Sequence, residues 1–216
     1  MVAGATGLVG QEILAVLLAD KAYRSVHVLG RRKLQRNDPQ LTQQVVDFTA
    51  LPRLPKADEA YIALGTTIKV AGSKAAFSAI DLDAVVALAR AARASGATKL
   101  GVVSAMGADP KSSVFYNQIK GEMEEALASL GFQSLVIARP SLLAGERAAL
   151  GQAARRGEHI GLVVSTLLKP LIPANYRAID ARDVAHALVH AVQAATAGSY
   201  RLLSGEMQGA SRRSTP

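Results

Sequence analysis

Three glycines near the start of the chain limit its fold more than any other feature. Gly4, Gly7 and Gly10, in Gly4-Ala-Thr-Gly7-Leu-Val-Gly10, follow a β-like stub, Met1-Val-Ala, and lead into an amphipathic run over 8–18. A strand that turns straight into a helix needs residues without a Cβ where the backbone doubles back. The same turn aims the first N–H groups of the helix at whatever lies above it, and those groups suit an anion such as a pyrophosphate. In this strand–turn–helix context the pattern implies a dinucleotide site, with Gly4, Ala5, Thr6, Gly7, Leu8, Val9 and Gly10 around the phosphates. Only three residues precede Gly4, where a central parallel strand usually has about five or six. Several residues of Lys/Arg-Val-Leu-Val character are therefore expected before Met1.

The rest of the chain repeats the alternation that the turn begins. Residues 25–29, 44–47, 60–64, 99–104 and 134–138 read as strands. Residues 81–95 and 115–130 read as helices, closed by Gly96 and Gly131 at the left-handed position that ends helices. This predicts an α/β, Rossmann-type doubly wound parallel sheet, with one NAD(P)-binding domain over residues 1–216. Beyond Arg139-Pro140 the alternation weakens. Helices are expected at 148–156, 163–168 and 183–195, and a late strand at 199–203. A small C-terminal substrate-covering segment is expected at about 148–178, and a frayed tail at 211–216.

The cofactor is indicated at the end of the second strand. NAD enzymes place an acid there, about twenty residues past the glycines, to hold the ribose 2′-hydroxyl. This chain has Gly30-Arg31-Arg32 instead, and a guanidinium binds a 2′-phosphate with two parallel hydrogen bonds. NADP(H) is therefore preferred over NAD(H), with Arg31 and Arg32 on the phosphate. The local charge agrees. Lys21, Arg24, Arg31, Arg32, Lys33 and Arg36 face one acid between residues 20 and 36, and they supply five of the eight net positive charges. No basic segment interleaves aromatic stacking platforms, so no dedicated nucleic-acid binding is expected.

Tyr116 and Lys120 stand four residues apart on a predicted helix, which puts phenol and ammonium on one face. The ammonium favours the ionised phenol and so tunes Tyr116 to give or take a proton at a carbonyl oxygen. Ser104, at the carboxyl end of the fifth strand, can hold the same oxygen. Ser104, Tyr116 and Lys120 are the expected catalytic residues.

Those motifs, in that order, resemble the short-chain dehydrogenase/reductase superfamily in its extended or atypical branches, which use G-x-x-G-x-x-G. A smaller family is matched by Leu64-Gly-Thr-Thr, Ala71-Gly-Ser-Lys-Ala-Ala-Phe77, Val103-Ser-Ala-Met-Gly-Ala108, Ser113-Val-Phe-Tyr116 and Lys120-Gly-Glu122. These resemble the Tat-interactive-protein-like atypical oxidoreductases, over most of residues 4 to 147. The resemblance implies that Leu64, Gly65, Thr66 and Thr67 line the cofactor. It implies the same of Arg139 and Pro140 in an R-P-x-x-x-x-G segment, and it sets Asp47 against the adenine amino group. Asp47 also reads as an ordinary strand-end cap.

Three functions fit these residues. The leading one is an NADP(H)-dependent oxidoreductase acting on a small or hydrophobic carbonyl or alcohol. The second is an NADPH-binding regulatory module with a protein partner and no turnover, and the third is an epimerase or dehydratase. A monomer or homodimer is expected. The chain holds no cysteine, which excludes disulfides, thiolate metal sites and a cysteine nucleophile. His186 and His190 share a helical face without a third ligand, so no metal site is assigned. Glu122, Glu124 and Glu125 read as the solvated side of the Tyr116 helix. The longest apolar stretch, over 160–168, is far shorter than the ~20 residues of a membrane helix. Neither that stretch nor the N-terminus reads as a signal or an anchor, so a soluble cytoplasmic protein is expected.

Overall fold

The computed structural model describes residues 1–144 and 173–213. Most of the expected substrate-covering segment, its helices at 148–156 and 163–168, Gly145 and residues 214–216 lie outside the described residues. Chain order runs β1 (Val2–Ala3), α1 (Leu8–Ala19), β2 (Val26–Gly30), β3 (Leu41–Val45), β4 (Glu59–Ile62), α2 (Ile68–Ala71) and α3 (Lys74–Ser78). A π-helical turn (Ala79–Ala84) follows, then α4 (Val85–Ala94), β5 (Lys99–Val103), α5 (Phe115–Ala128) and β6 (Ser134–Arg139). After the undescribed residues come α6 (Ala181–Ala194), β7 (Gly198–Leu203), α7 (Ser204–Met207) and α8 (Ala210–Arg213).

Among the described residues the strands form one seven-stranded sheet in the order β3-β2-β1-β4-β5-β6-β7. Every neighbouring pair is parallel. Successive strand residues point to opposite faces, so each central strand feeds two cores. Val136 and Ala138 of β6 join Ile13, Leu14 and Leu17 of α1 and Val184, Leu188 and Val192 of α6. Leu135 and Ile137 of the same strand join Val85 and Leu88 of α4 and Met123 and Leu127 of α5. The chain is therefore doubly wound, and its order reverses between β1 and β4, where open α/β sheets form a crevice.

Gly96 and Gly131 have φ of +105° and +71°, as expected of residues that close helices before strands. Three expectations change. β3 begins three residues earlier than its apolar end suggested, because Gln43 has a structural role within it. Gln43 Oε1 accepts from Leu34 N–H at 2.7 Å, and Nε2 donates to Arg36 O at 3.0 Å. The helix expected from 81 starts instead at Lys74, capped by Ser73 Oγ, which accepts from Ala76 N–H at 3.0 Å. The tail is ordered through residue 213. Asp183 accepts from Gly209 N–H at 2.8 Å, Ser211 N–H at 3.0 Å and Ser211 Oγ–H at 2.6 Å, which pins α8 to α6.

Candidate functional site

The glycine turn is locked by its neighbours. Gly4 has φ +89°, and a Cβ there would stand 2.4 Å from Ala63 O at the end of β4. A Cβ on Gly10 would stand 2.1 Å from Gly4 O. These contacts pack β1, β4 and the first turn of α1 together with no room for a side chain. Gly7 caps α1 with its backbone alone, and no acidic residue occupies the first turn of that helix. An uncapped helix start without a nearby acid is electrostatically open to an anion.

A cavity of about 340 Å³ opens beside this helix start at the carboxyl ends of β1, β4, β5 and β6. Its volume lies in the ~300–1,000 Å³ range of small-molecule sites. Of the residues expected around a cofactor and substrate, Gly7, Leu8, Val9, Leu64, Gly65, Thr66, Thr67, Ser104, Tyr116, Lys120 and Pro140 line it. Gly4, Ala5, Thr6 and Gly10 form the turn itself without being among those lining residues. Arg31 and Arg32 follow β2, next to β1 in the sheet, and are exposed. Asp47 is also exposed, and its Oδ1 accepts from Thr49 N–H at 2.9 Å and Thr49 Oγ1–H at 2.8 Å. The backbone bond first, then the hydroxyl, holds its carboxyl below the usual carboxylate range. In this structure Asp47 caps the turn after β3.

The side chains expected to carry the chemistry are more constrained than their spacing indicates. Tyr116 packs against Phe77 of α3, with ring centroids 5.5 Å apart. Lys120 is 3% exposed, and its Nζ lies 2.7 Å from Asp81 Oδ1. Asp81 is fully buried, and its Oδ2 accepts from Thr66 N–H at 2.9 Å. Ser104 Oγ donates to Glu124 Oε1 at 2.6 Å. Arg139 grips the same carboxylate with two bonds, Nε to Oε1 at 2.9 Å and Nη2 to Oε2 at 2.6 Å. Arg201 Nε adds a contact to Oε2 at 3.4 Å.

Glu124 is therefore not on a solvated face. It is 2% exposed, and it sits behind Ser104 because α5 turns that side toward β5 and β6. Arg139 reaches the site through Glu124 and is not among the cavity-lining residues. Asp81 and Glu124 are the buried carboxylates of the site that sequence reading missed. The spacing Lys120-x-x-x-Glu124, one further helical turn on the same face as Tyr116, was the available signal for the second. For Asp81 no local signal exists.

A larger groove, about 700 Å³, lies between α1 and α6, and His186 and His190 open onto it with Glu12, Asp20, Arg182 and Gln193. It contains none of the expected catalytic residues. Among the described residues, no three His, Cys, Asp or Glu side chains come together as a metal cluster. No described helix is long and apolar enough to cross a membrane.

No family model matches the chain. Rat protein HTATIP2 is 35% identical over 162 residues, which span 72% of this chain and 65% of that protein, just under two thirds of its length. Protein FMP52 of Coccidioides immitis, named as mitochondrial, is 32% identical over 228 residues, covering 95% of this chain and 92% of that protein. Among solved structures, MoeE5 in complex with UDP-glucose and NAD superposes with a TM-score of 0.68 at 16% identity, over 93% of this chain and 74% of its own. At that identity the likeness concerns the fold. The mitochondrial naming of several fungal relatives overturns the cytoplasmic expectation. A chain without cysteine is chemically compatible with any compartment, so composition had no power to choose one.

Proposed function

The chain belongs to the HTATIP2/FMP52 family of atypical short-chain dehydrogenase/reductases, and on that premise we propose that it is an NADP(H)-dependent oxidoreductase. Its substrate is a small or hydrophobic carbonyl compound or the corresponding alcohol. One observation carries the reading: a single cavity joins an uncapped helix start behind the glycine turn to the pair Tyr116 and Lys120. The residues present fit a nicotinamide dinucleotide. Gly7, Leu8 and Val9 would hold the pyrophosphate, Arg31 and Arg32 the 2′-phosphate, and the loop Leu64 to Thr67 the nucleotide's inner edge. When bound, the cofactor supplies or accepts the hydride.

The chain's own residues manage the proton. Tyr116 gives its phenolic proton to the carbonyl oxygen during reduction and takes it back from the alcohol during oxidation. Lys120 stabilises the phenolate that this leaves. Ser104 has a single hydroxyl proton, and Glu124 holds it. With that proton engaged, Ser104 accepts hydrogen bonds from groups in the cavity; to donate to a carbonyl oxygen it must first release Glu124.

A second reading, an NADPH-binding regulatory module without turnover, draws support from the same geometry, since buried carboxylates engage both Lys120 and Ser104. NADPH oxidation over a panel of carbonyl compounds separates the two. Turnover by the wild type, reduced about 10²–10⁴-fold in Tyr116→Phe, is the expected result. Equal turnover by both would remove the tyrosine from the mechanism. Binding of NADPH with no turnover by either would favour the regulatory reading.

A further inference from the structure

Asp81 is fully buried in the wall of the cavity and has no part in the proton transfer described above. Both of its oxygens are engaged there, Oδ1 with Lys120 Nζ at 2.7 Å and Oδ2 with Thr66 N–H at 2.9 Å. The loop after β4 lies directly against the pair. A Cβ on Gly65 would stand 3.4 Å from Asp81 Oδ1 and 3.8 Å from Lys120 Nζ. The carboxylate enters from the π-helical turn Ala79–Ala84. Such turns insert an extra residue into a helix and often occur at functional sites. One turn earlier, Phe77 packs against the Tyr116 ring. A single helical stretch thus backs both members of the reactive pair, the phenol by a ring contact and the ammonium by an ion pair.

We propose that Asp81 is a positioning residue of this site, which holds Lys120 at the cavity wall and offsets its charge, and so sets the pH at which Tyr116 ionises. The proposal rests on the reading that Tyr116 and Lys120 form the reactive pair. A lone buried ammonium beside a phenol would favour the phenolate strongly. A carboxylate 2.7 Å from that ammonium turns it into a short dipole, whose field falls off faster with distance. The same carboxylate gives an ammonium that is only 3% exposed a partner of opposite charge. The remaining charges around α5 are arranged differently. Lys74 of α3 lies over the Phe115 ring, 5.1 Å from its centroid. Glu124 is matched by Arg139 of β6 and Arg201 of β7, and Glu122 accepts from Gln118. Asp81 is the carboxylate that meets Lys120 directly.

The test is the ionisation midpoint of Tyr116, read as ultraviolet difference absorbance of the whole protein against its Tyr116→Phe counterpart. It is measured for the wild type, Asp81→Asn, Lys120→Met and the double variant. Asp81→Asn keeps an acceptor for Thr66 and removes the charge, so the midpoint should fall by about one pH unit, a tenfold change. Lys120→Met leaves a bare carboxylate and should raise the midpoint. An unchanged or raised midpoint in Asp81→Asn would overturn the proposal. If that variant strands its ammonium and fails to fold, the double variant, which buries no charge at this pair, decides. A midpoint returned toward the wild type supports the proposal, and one left at the Lys120→Met value overturns it. A Lys120→Met midpoint equal to that of the wild type would instead overturn the reactive pair itself.

Discussion

Arg31 and Arg32 show how far a single position reaches. Both are exposed after β2, where an acid would favour NAD(H). Hydrogen bonds to charged groups contribute about 1.5–3 kcal/mol each, so a single one implies a roughly ten- to hundredfold preference for NADPH. Changing both to alanine should erase most of that preference and leave NADH affinity nearly intact, as calorimetry with each cofactor would show. Glu124 makes the opposite point. On a solvated face its loss would cost within about 0.5 kcal/mol. Buried at 2% exposure between Ser104 and Arg139, its truncation to alanine leaves a guanidinium without its partner. The expected cost is about 3 kcal/mol, the low end for a broken buried pair, because Arg139 retains 20% side-chain exposure to water. Urea unfolding of Glu124→Ala distinguishes the two, and a loss under 0.5 kcal/mol would refute the clamp.

At the scale of elements, the join between β1 and α1 does the most to place the site. A glycine-to-alanine change in an exposed helix ordinarily stabilises it by up to about 1 kcal/mol. Gly10 should behave in the reverse sense. The Cβ would meet the carbonyl of Gly4 at 2.1 Å and Ala5 Cα at 3.0 Å, and backbone cannot swing aside as a flexible side chain does. Gly10→Ala should cost about 1–3 kcal/mol, the usual range for overpacking, and should weaken NADPH binding by displacing the helix start. Thermal melts and a fluorescence titration of the same variant check both; a raised melting temperature would show that the helix is not held by this contact. The π-helical turn is the second such element, since it directs Asp81 toward Lys120.

Across the whole molecule, the end of the sheet opposite the cavity carries a polar network joining distant elements. Tyr23 and Tyr61 each donate to Glu59 Oε2, at 2.6 and 2.8 Å. Gln193 of α6 donates to Tyr23 Oη at 3.2 Å and to Asp20 at 2.8 Å. Burial first, and the neighbouring Glu59 next, push both phenols well above the ordinary tyrosine range. A group whose pKa is raised by folding stabilises the fold fully below its unfolded value and loses that contribution as pH climbs toward the folded one. The melting temperature should therefore fall as pH rises past about 10, the unfolded tyrosine value. Tyr61→Phe should start from lower stability, because Glu59 loses a donor, and should then show a shallower alkaline decline. An equally steep decline in Tyr61→Phe would place its cause elsewhere.

The sequence by itself determined whatever rests on short spacings. The glycine turn, the helix–glycine–strand repeats and the one-turn interval from Tyr116 to Lys120 are local, so the parallel sheet and most of the cavity lining were legible without coordinates. The start of β3 was not, because Thr42 and Gln43 look like loop residues until Gln43 is seen bonding the loop from Leu34 to Arg36. Nor was the order of residues 211–213, which depends on Asp183 reaching 28 residues along the chain. The partners of Lys120 and Ser104 lie similarly far apart: Lys120 meets Asp81, 39 residues earlier, and Ser104 meets Glu124, 20 residues later. A charged residue on a helix faces water by default. Only the packing of α5 and the π-helical turn against the sheet buries these two carboxylates, and burial is what makes their pairing with Lys120, Arg139 and Ser104 obligatory.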